Sequence, residues 1–182
     1  MKVTGGIAKG RRLKIPKAYL RPTSEKVKEA LFNILREKVK GSFFLDLYAG
    51  TGGIGMDALS HGAGRVIFVE SNPFSIKTLR ENISALGFRD KAEIIALDSV
   101  AFLEKAIVRE ERFDIIFLDP PYHTGELDRI FKILSKGEVL NKSGILIAEH
   151  FKKKSLPEEV GHLRLLKEYR YGDTVLTLFI QR

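Results

Sequence analysis

Residues 43–55 read FFLDLYAGTGGIG, and they carry the clearest indication of the fold. Its first half is an apolar run that predicts a buried strand, and its second half is a glycine-rich loop that leads into a helix. Glycines directly after a strand let the backbone approach a ligand closely, and Gly50, Gly52 and Gly55 have the spacing of a dinucleotide-binding fingerprint. The stretch therefore predicts an α/β protein that binds a ligand at the end of its first strand.

The same order of strand, loop and helix continues along the chain to about residue 149. Further strands are predicted at 65–69, 93–97, 113–118 and 144–149, and helices at 54–60, 73–86, 100–107 and 127–134. Two closing strands, 163–169 and 175–180, flank Tyr171-Gly172-Asp173, a turn signal that makes them antiparallel. Alternating strands and helices form mostly parallel sheets with helices on both faces. We therefore predict a Rossmann-like α/β fold with a sheet of seven strands, one of them reversed.

An N-terminal extension precedes this sheet. Residues 1–20 predict a small β-hairpin that turns around Ala8-Lys9-Gly10. Residues 24–40 have helical periodicity, with Thr23 or Ser24 as the N-cap and Gly41 as the end. Lys28 and Arg36 are expected on exposed faces of this helix.

The positive charge of the protein is concentrated in the extension. The net charge is +8, and residues 1–40 alone hold twelve Lys or Arg against three Glu. The other 142 residues hold 19 basic and 20 acidic side chains. Such a segment is typical of an arm that follows a phosphate backbone, although a solvated basic face remains an alternative. We therefore divide the chain into a basic extension for nucleic-acid binding, residues 1–41, and a ligand-binding domain, residues 42–182.

A second candidate site follows the strand at 113–118. Asp119-Pro120-Pro121-Tyr122 ends this strand, because consecutive prolines cannot donate to a sheet ladder and hold the backbone stiff. Ligands of open α/β sheets bind at the carboxyl ends of the strands. An acidic acceptor, a rigid turn and an aromatic ring suit a flat substrate that carries an amine, such as a nucleobase. An ordinary proline turn would explain the prolines but not the whole tetrapeptide.

Three acidic residues end three successive strands and indicate which cofactor the glycine loop holds. Glu70 can chelate ribose hydroxyls, and Asp98 can accept a hydrogen bond from the amine of adenine. Asp46 can meet a cationic amino-acid moiety, which S-adenosylmethionine has and the pyrophosphate of a nicotinamide dinucleotide lacks. The chain shows no Tyr-x-x-x-Lys pair for hydride transfer. The pattern favours S-adenosylmethionine, and a nicotinamide-dinucleotide oxidoreductase remains the alternative.

The residue types that the chain lacks narrow its chemistry. It has no cysteine, which excludes a disulfide framework, a thiolate zinc site and a methylation that proceeds through a cysteine adduct. It also has no apolar run of about 18 residues and no signal-peptide pattern. We expect a cytoplasmic monomer that does not associate with membranes and needs no metal.

Several of these motifs together resemble a known family. The glycine loop, Glu70, Asp98 and the tetrapeptide at 119–122 are similar to those of class I S-adenosylmethionine-dependent amino-methyltransferases. The N-terminal motifs narrow the similarity to the RsmD family: Gly5-Gly6-x-x-Lys9-Gly10, Arg21-Pro22-Thr23 and Val27-x-x-Ala30-Leu31-Phe32-Asn33-Ile34-Leu35. The resemblance covers nearly the whole chain, with Tyr48 and Thr51 where the family often has Phe and Ser.

The resemblance implies methylation of the N2 amine of a guanine in 16S ribosomal RNA. The substrate would be either the naked RNA or an assembling small subunit. The catalytic residues would be Asp119, Pro120, Pro121 and Tyr122. The cofactor-binding residues would be Asp46, Tyr48, Ala49, Gly50, Thr51, Gly52, Glu70, Ser71, Asp98, Ser99 and Asp119. The RNA-binding residues would be Lys9, Arg11, Arg12, Lys14, Arg21 and Thr23. The residues themselves leave open methylation of adenine N6 in RNA or DNA, a non-catalytic RNA-binding module, and a structural role for Arg21.

Overall fold

A central β-sheet organises the protein, and the computed structural model describes the chain over residues 1–16, 23–122 and 125–182. Within these ranges the strands are β1 (Phe43–Leu47), β2 (Arg65–Glu70), β3 (Ala92–Ala96), β4 (Phe113–Leu118), β5 (Leu140–Phe151), β6 (Glu159–Val160), β7 (Leu163–Tyr171) and β8 (Thr174–Gln181). Their spatial order is β3-β2-β1-β4-β5-β8-β7-β6. β1 to β5 are parallel, and β8 is antiparallel to both of its neighbours. The predicted mostly parallel sheet with a reversed strand is confirmed.

The described part of the sheet has one strand more than the seven predicted. β6 is two residues long and pairs in antiparallel orientation with the start of β7. Two residues are too few to show an alternating apolar pattern, which explains why periodicity does not detect this strand. β5 is also longer than the predicted 144–149, since it begins at Leu140 and ends at Phe151. Neither difference changes the order of the other strands.

Helices cover both faces of the sheet. In the described ranges they are α1 (Glu25–Leu35), α2 (Gly53–Ser60), α3 (Pro73–Leu86), α4 (Ser99–Val108) and α5 (Glu126–Leu134). α1, α2 and α3 form one hydrophobic core with Phe44 of β1, and α4 and α5 form a second core with its neighbour Leu45. Successive strand residues point to opposite faces, so β1, β2, β4, β5 and β8 each contribute to both cores. No helix in the part of the chain described here is long and apolar enough to span a membrane.

Side-chain caps begin two of these helices at the predicted residues. Ser24 and Asn72 each accept hydrogen bonds from backbone N–H groups of the first helical turn. The prediction of one continuous helix over 24–40 is wrong, because α1 ends earlier and a 3₁₀-helix, Arg36–Val39, follows it. Arg36 has a φ of 44°, which lies outside the helical region and interrupts the α-helical hydrogen bonds.

The N-terminal hairpin, residues 1–14, packs against α2. Lys2 and Arg12 pair in an antiparallel bridge, and the turn is centred on a 3₁₀-helix, Gly6–Ala8, slightly earlier than predicted. Gly6 has a φ of 72°, and a Cβ at this position would lie 1.9 Å from the carbonyl oxygen of the last α2 residue. The close contact between the hairpin and α2 therefore requires glycine here.

Lys28 is fully buried, which corrects the prediction that it is exposed. Its Nζ donates to Asp57 Oδ2 at 2.7 Å and to the carbonyl oxygen of Lys2 at 2.6 Å. The other Asp57 oxygen accepts hydrogen bonds from the N–H and hydroxyl of Thr4 at 2.6 and 2.9 Å. A charge tolerates burial when it is paired and hydrogen-bonded in this way. The Lys28–Asp57 pair thus joins the hairpin, α1 and α2, and the division after residue 41 stays a prediction.

Candidate active site

The carboxyl ends of β1, β4 and β5 bring three acidic side chains to one edge and one face of the sheet. Leu118 of β4 lies level with Ala148 of β5, so Asp119 and Glu149 follow at the same height on neighbouring strands. Asp46 lies two residues lower on β1 and points to the same face. Neighbouring strands are about 4.8 Å apart, which makes these carboxyl groups close neighbours.

Asp119 and Glu149 share one hydrogen-bond donor, the hydroxyl of Thr23. This hydroxyl lies 3.1 Å from Glu149 Oε2 and 3.4 Å from Asp119 Oδ2. The hydroxyl of Tyr122 donates to the other Glu149 oxygen at 3.2 Å. These four residues, Thr23, Asp119, Tyr122 and Glu149, are termed the acidic corner. Glu149 is only 4% exposed, so hydroxyl donors stabilise a carboxylate that water hardly reaches.

Tyr122 stays protonated in this position. Burial raises the pKa of its hydroxyl above the ordinary value, and the nearby charge of Glu149 raises it further. The hydroxyl is therefore a hydrogen-bond donor over the whole physiological range of pH. The Tyr122 ring lies 6.1 Å from the ring of Phe151, with the two planes inclined by 42°.

A cavity of about 280 Å³ opens beside the acidic corner. Its walls include Pro120, Pro121, the ring of Tyr122, Glu149 and Phe151. Prolines and aromatic rings supply flat apolar surfaces, and the carboxylate supplies a strong acceptor. The cavity suits a planar group that carries hydrogen-bond donors.

Sequence reasoning does not single out Glu149. A usable signal exists, because Glu149 ends the predicted strand 144–149 in the same way that Asp46, Glu70 and Asp98 end theirs. Thr23, predicted to contact RNA and offered as a helix N-cap, instead lies on the acidic corner. Its predicted contact with RNA stays a prediction.

The glycine loop between β1 and α2 turns back through left-handed conformations. Gly50 and Gly52 have φ values of 55° and 88°. The N–H of Gly50 donates to Glu70 Oε2 at 2.8 Å, so the acidic end of β2 holds the loop. Tyr48 also has a positive φ, 62°, which is a strained conformation for a residue other than glycine. Its hydroxyl donates to Glu126 at 2.8 Å and so links the glycine loop to the start of α5.

Asn82 of α3 holds the same loop from outside. Its Nδ2 donates to the carbonyl oxygens of Thr51 and Lys14 at 3.0 and 3.1 Å, and its Oδ1 accepts from the N–H of Lys14 at 2.9 Å. Asn82 is buried, so these hydrogen bonds are shielded from water. One amide side chain thereby joins the glycine loop to the end of the N-terminal hairpin.

Asp46 is the most strongly perturbed carboxyl group of the loop region. It is 2% exposed and accepts a hydrogen bond from the N–H of Gly55 at 2.9 Å. Burial raises its pKa from 3.8 to about 7; the Gly55 hydrogen bond opposes this rise, and the charge of Glu70 adds to it. A cation close to Asp46 would lower the pKa again.

Asp98 caps the helix that follows β3. One of its oxygens accepts hydrogen bonds from the N–H groups of Val100 and Ala101, both at 3.0 Å. Asp98 itself is exposed, and Ser99 is buried at the first position of α4. Because Asp98 is tied to the helix start, its carboxylate has a fixed position at the edge of the sheet.

The predicted cofactor residues lie together along this edge of the sheet. The loop residues Tyr48, Ala49, Gly50, Thr51 and Gly52 follow β1, Glu70 ends β2 with Ser71 directly after it, and Asp98 and Ser99 follow β3. Carboxylates at Asp46, Glu70 and Asp98 match the cation, the ribose hydroxyls and the amine of S-adenosylmethionine, so the donor set fits this cofactor. No cluster of three or more metal-binding side chains occurs in the described ranges.

Four of the predicted RNA-binding residues lie on the N-terminal hairpin. Lys9 and Arg12 are exposed on the N-terminal hairpin. Arg11 and Lys14 are also exposed, but they bond to a carbonyl oxygen and a carboxylate of α3 at 2.5 and 2.8 Å. Arg21 lies outside the described residues.

Solved structures of known proteins share this architecture. A putative methyltransferase from Escherichia coli superposes with a TM-score of 0.88 at 27% identity, covering 100% of this chain and 98% of that one. A putative methylase from Haemophilus influenzae gives a TM-score of 0.81 at 30% identity, covering 98% and 96%. The fold is therefore that of a class I methyltransferase.

Sequence comparison narrows this class to one family. A family model described as conserved hypothetical protein 95 matches residues 1–180. The putative rRNA methyltransferase YlbH of Bacillus subtilis is 37% identical over 183 residues, which cover both chains completely. The ribosomal RNA small subunit methyltransferase D of Haemophilus influenzae is 34% identical, over 94% of this chain and 89% of that protein. The chain belongs to this family of methyltransferases, and the predicted membership in the RsmD family is confirmed.

Proposed function

We propose that this protein transfers a methyl group from S-adenosylmethionine to the exocyclic N2 amine of a guanine in small-subunit ribosomal RNA. The names of its relatives support ribosomal RNA as the substrate. The observation that supports an amine as the acceptor is the acidic corner, where Asp119 begins a rigid turn and lines a pocket with the predicted cofactor residues Asp46 and Tyr48. The proposal places the protein in the cytoplasm, where ribosomal subunits assemble.

The acidic corner can activate an amine that is a weak nucleophile. The lone pair of the guanine amine is delocalised into the ring, and hydrogen bonds from its two hydrogens restore a pyramidal geometry. The carboxylate of Asp119 and the carbonyl oxygen of Pro120 are the acceptors for these hydrogens. Because Pro120 and Pro121 hold both acceptors in place before the reaction, their stabilising effect is realised in the transition state. Tyr122 stacks on the base and holds it in line.

S-adenosylmethionine supplies a methyl group that its sulfonium already activates, so the main task of the protein is positioning. As the N–C bond forms, the S–C bond breaks, S-adenosylhomocysteine leaves, and the amine releases a proton to the Asp119 carboxylate or to solvent. Glu70 would hold the ribose hydroxyls, Asp98 the adenine amine and Asp46 the amino-acid cation. The backbone of the glycine loop lets the cofactor approach closely. The target base must be unstacked or single-stranded to enter the cavity.

Methyl transfer to ribosomal subunits tests this function. Small and large subunits and their purified RNAs are incubated with tritiated S-adenosylmethionine, and the RNA is digested to nucleosides. We expect label in N2-methylguanosine of the small-subunit RNA. Asp119→Ala removes the amine acceptor and is expected to lower kcat by about 100-fold or more.

A matched control uses an acidic residue at the opposite edge of the sheet. Asp90 is exposed in the 3₁₀-helix Arg89–Lys91, and Asp90→Asn is expected to keep wild-type activity. Full activity of Asp119→Ala would show that the proposed site is wrong. Label in N6-methyladenosine would show that the proposed base is wrong, and tight binding of a nicotinamide dinucleotide without binding of S-adenosylmethionine would contradict the cofactor.

A further inference from the structure

We infer that Glu149 binds the Watson–Crick edge of the target base and selects guanine over adenine. This inference rests on the proposed function and adds a specificity residue to it. Guanine presents two neighbouring donors, the N1–H and the N2 amine, whereas adenine presents an amine beside the lone pair of N1. An acceptor placed next to the acceptor for the amine therefore distinguishes the two bases.

The two carboxylates of the acidic corner have this arrangement. Asp119 and Glu149 follow level residues of the neighbouring parallel strands β4 and β5. One hydroxyl, that of Thr23, lies 3.1 Å from a Glu149 oxygen and 3.4 Å from an Asp119 oxygen. The two carboxylates therefore flank a single hydroxyl, and this arrangement would let them bind neighbouring donors of one base.

The neighbours of Glu149 fix the position of its carboxylate at the cavity. Thr23 and Tyr122 each donate a hydroxyl to a different oxygen of the carboxylate. These two donors fix the orientation of the carboxylate. Glu149 also lines the cavity of about 280 Å³, together with Pro120 and the Tyr122 ring on which the base would stack.

The low exposure of Glu149 makes the choice between bases strong. With guanine in the site, the carboxylate would accept a charge-assisted hydrogen bond from N1–H. With adenine in the site, the same buried carboxylate would face the lone pair of N1, and no hydrogen bond could form between them. The site therefore favours guanine by attraction and disfavours adenine by repulsion. A Glu149 that served only to hold Thr23 and Tyr122 would not discriminate in this way.

The test compares guanine with 2,6-diaminopurine at the methylated position. This analogue keeps the N2 amine but has a lone pair at N1 instead of the N1–H. Once nucleoside mapping has located the methylated guanine, small-subunit RNA fragments carrying either base are prepared by ligation. We expect the wild-type protein to favour guanine by about 10- to 100-fold in kcat/KM. Glu149→Gln replaces the carboxylate with an amide that can donate as well as accept, so the preference is expected to fall close to unity.

Two further variants control the comparison. Glu149→Asp keeps a carboxylate on a shorter side chain, so we expect a lower rate on both RNAs but a retained preference for guanine. Glu159→Gln changes an exposed residue of β6, three strands away from β5, and is expected to leave the rates and the preference as in the wild type. Binding of S-adenosylmethionine, measured by calorimetry, verifies that each variant is folded.

Three results would overturn the inference. They are an unchanged preference in a folded Glu149→Gln protein, a lost preference in Glu149→Asp, and a wild-type protein that methylates both RNAs equally. In each of these cases guanine is still methylated, so the proposed function survives. A wild-type protein that transfers no methyl group to any ribosomal RNA would instead overturn the proposed function, and this inference with it.

Discussion

Asp46 shows how burial changes the chemistry of a single side chain. Its carboxyl group lies beneath α2, and burial raises its pKa from 3.8 to about 7. Between these two pH values the folded protein binds a proton at Asp46 that the unfolded chain has lost. The contribution of Asp46 to stability is therefore greatest below about pH 4 and decreases as the pH rises to about 7.

Asp46→Asn is expected to remove this pH dependence. Asparagine keeps an oxygen acceptor for the N–H of Gly55 but does not ionise. Relative to the variant, the free energy of unfolding of the wild type should fall by about 1 kcal/mol per pH unit within this window. Urea unfolding at half-unit steps of pH measures both curves. His61 and His150, whose pKa values burial lowers, contribute an opposite slope, but they are present in both proteins and cancel. Parallel curves would contradict the prediction.

Cofactor binding should release a proton from the same residue. The cation of the amino-acid moiety would lower the pKa of Asp46, so at pH 6 the complex would bind fewer protons than the free protein. Calorimetry in two buffers with different ionisation enthalpies counts the released protons. We expect release of a substantial fraction of one proton in the wild type and much less in Asp46→Asn. Equal release in both proteins would place the cation elsewhere.

At the scale of secondary-structure elements, one buried ion pair holds the N-terminal hairpin, α1 and α2 together. The side chains of Lys28 and Asp57 are both fully buried, and their partners include Lys2 and Thr4 of the hairpin. α2 begins with the glycine loop, so the same pair also supports the cofactor-binding residues. Loss of one partner leaves an uncompensated charge in the core.

Lys28→Met is accordingly expected to lower the free energy of unfolding by about 3–5 kcal/mol. The double variant Lys28→Met with Asp57→Asn should recover much of this loss, because asparagine can still accept from Thr4 and carries no charge. Urea unfolding of both variants measures the coupling between the two residues. An exposed ion pair, that of Arg182 with Glu159, is the comparison, and Arg182→Met should cost less than about 1 kcal/mol. Similar losses for Lys28→Met and Arg182→Met would contradict the prediction.

The elements that the sequence predicts well are those with local causes. The strand at 113–118 ends where two prolines stop it, and the helix after Asn72 starts at a side-chain cap with a proline beside it. Long-range contacts escape this reasoning. Helical periodicity cannot show that Lys28 meets an aspartate 29 residues away, nor can it show that Thr23 reaches Glu149 across 126 residues. The acidic corner is therefore only half predictable, because Asp119 and Tyr122 belong to a local motif and the other two residues do not.

At the scale of the whole molecule, charge is divided between two regions. The basic residues of the N-terminal hairpin lie against α2 and α3, and the carboxylates lie along the edge of the sheet where the strands end. We expect an RNA whose phosphates contact the basic hairpin residues while only an unstacked base enters the acidic corner.

The exposed hairpin residues should carry most of the salt dependence of RNA binding. Lys9→Gln combined with Arg12→Gln is expected to weaken binding and to reduce the slope of log K against log salt by about two units. Arg11 and Lys14 already bond to α3, so their replacement should reduce the slope less. Fluorescence anisotropy at several salt concentrations measures the slopes. The control is Lys142→Gln, which changes an exposed residue near the start of β5. An unchanged slope in the double variant would mean that the hairpin does not contact phosphates.

The position of β8 has a consequence for the newly made chain. β8 lies between β5 and β7 in space, but it follows both of them in the order of synthesis. Glu149 therefore leaves the ribosome before the strand that must flank β5 exists, and the growing chain has an unpaired sheet edge next to the acidic corner. We expect the protein to transfer methyl groups only after β8 has emerged from the ribosome. The growing chain would then not methylate the RNA of the ribosome that is making it.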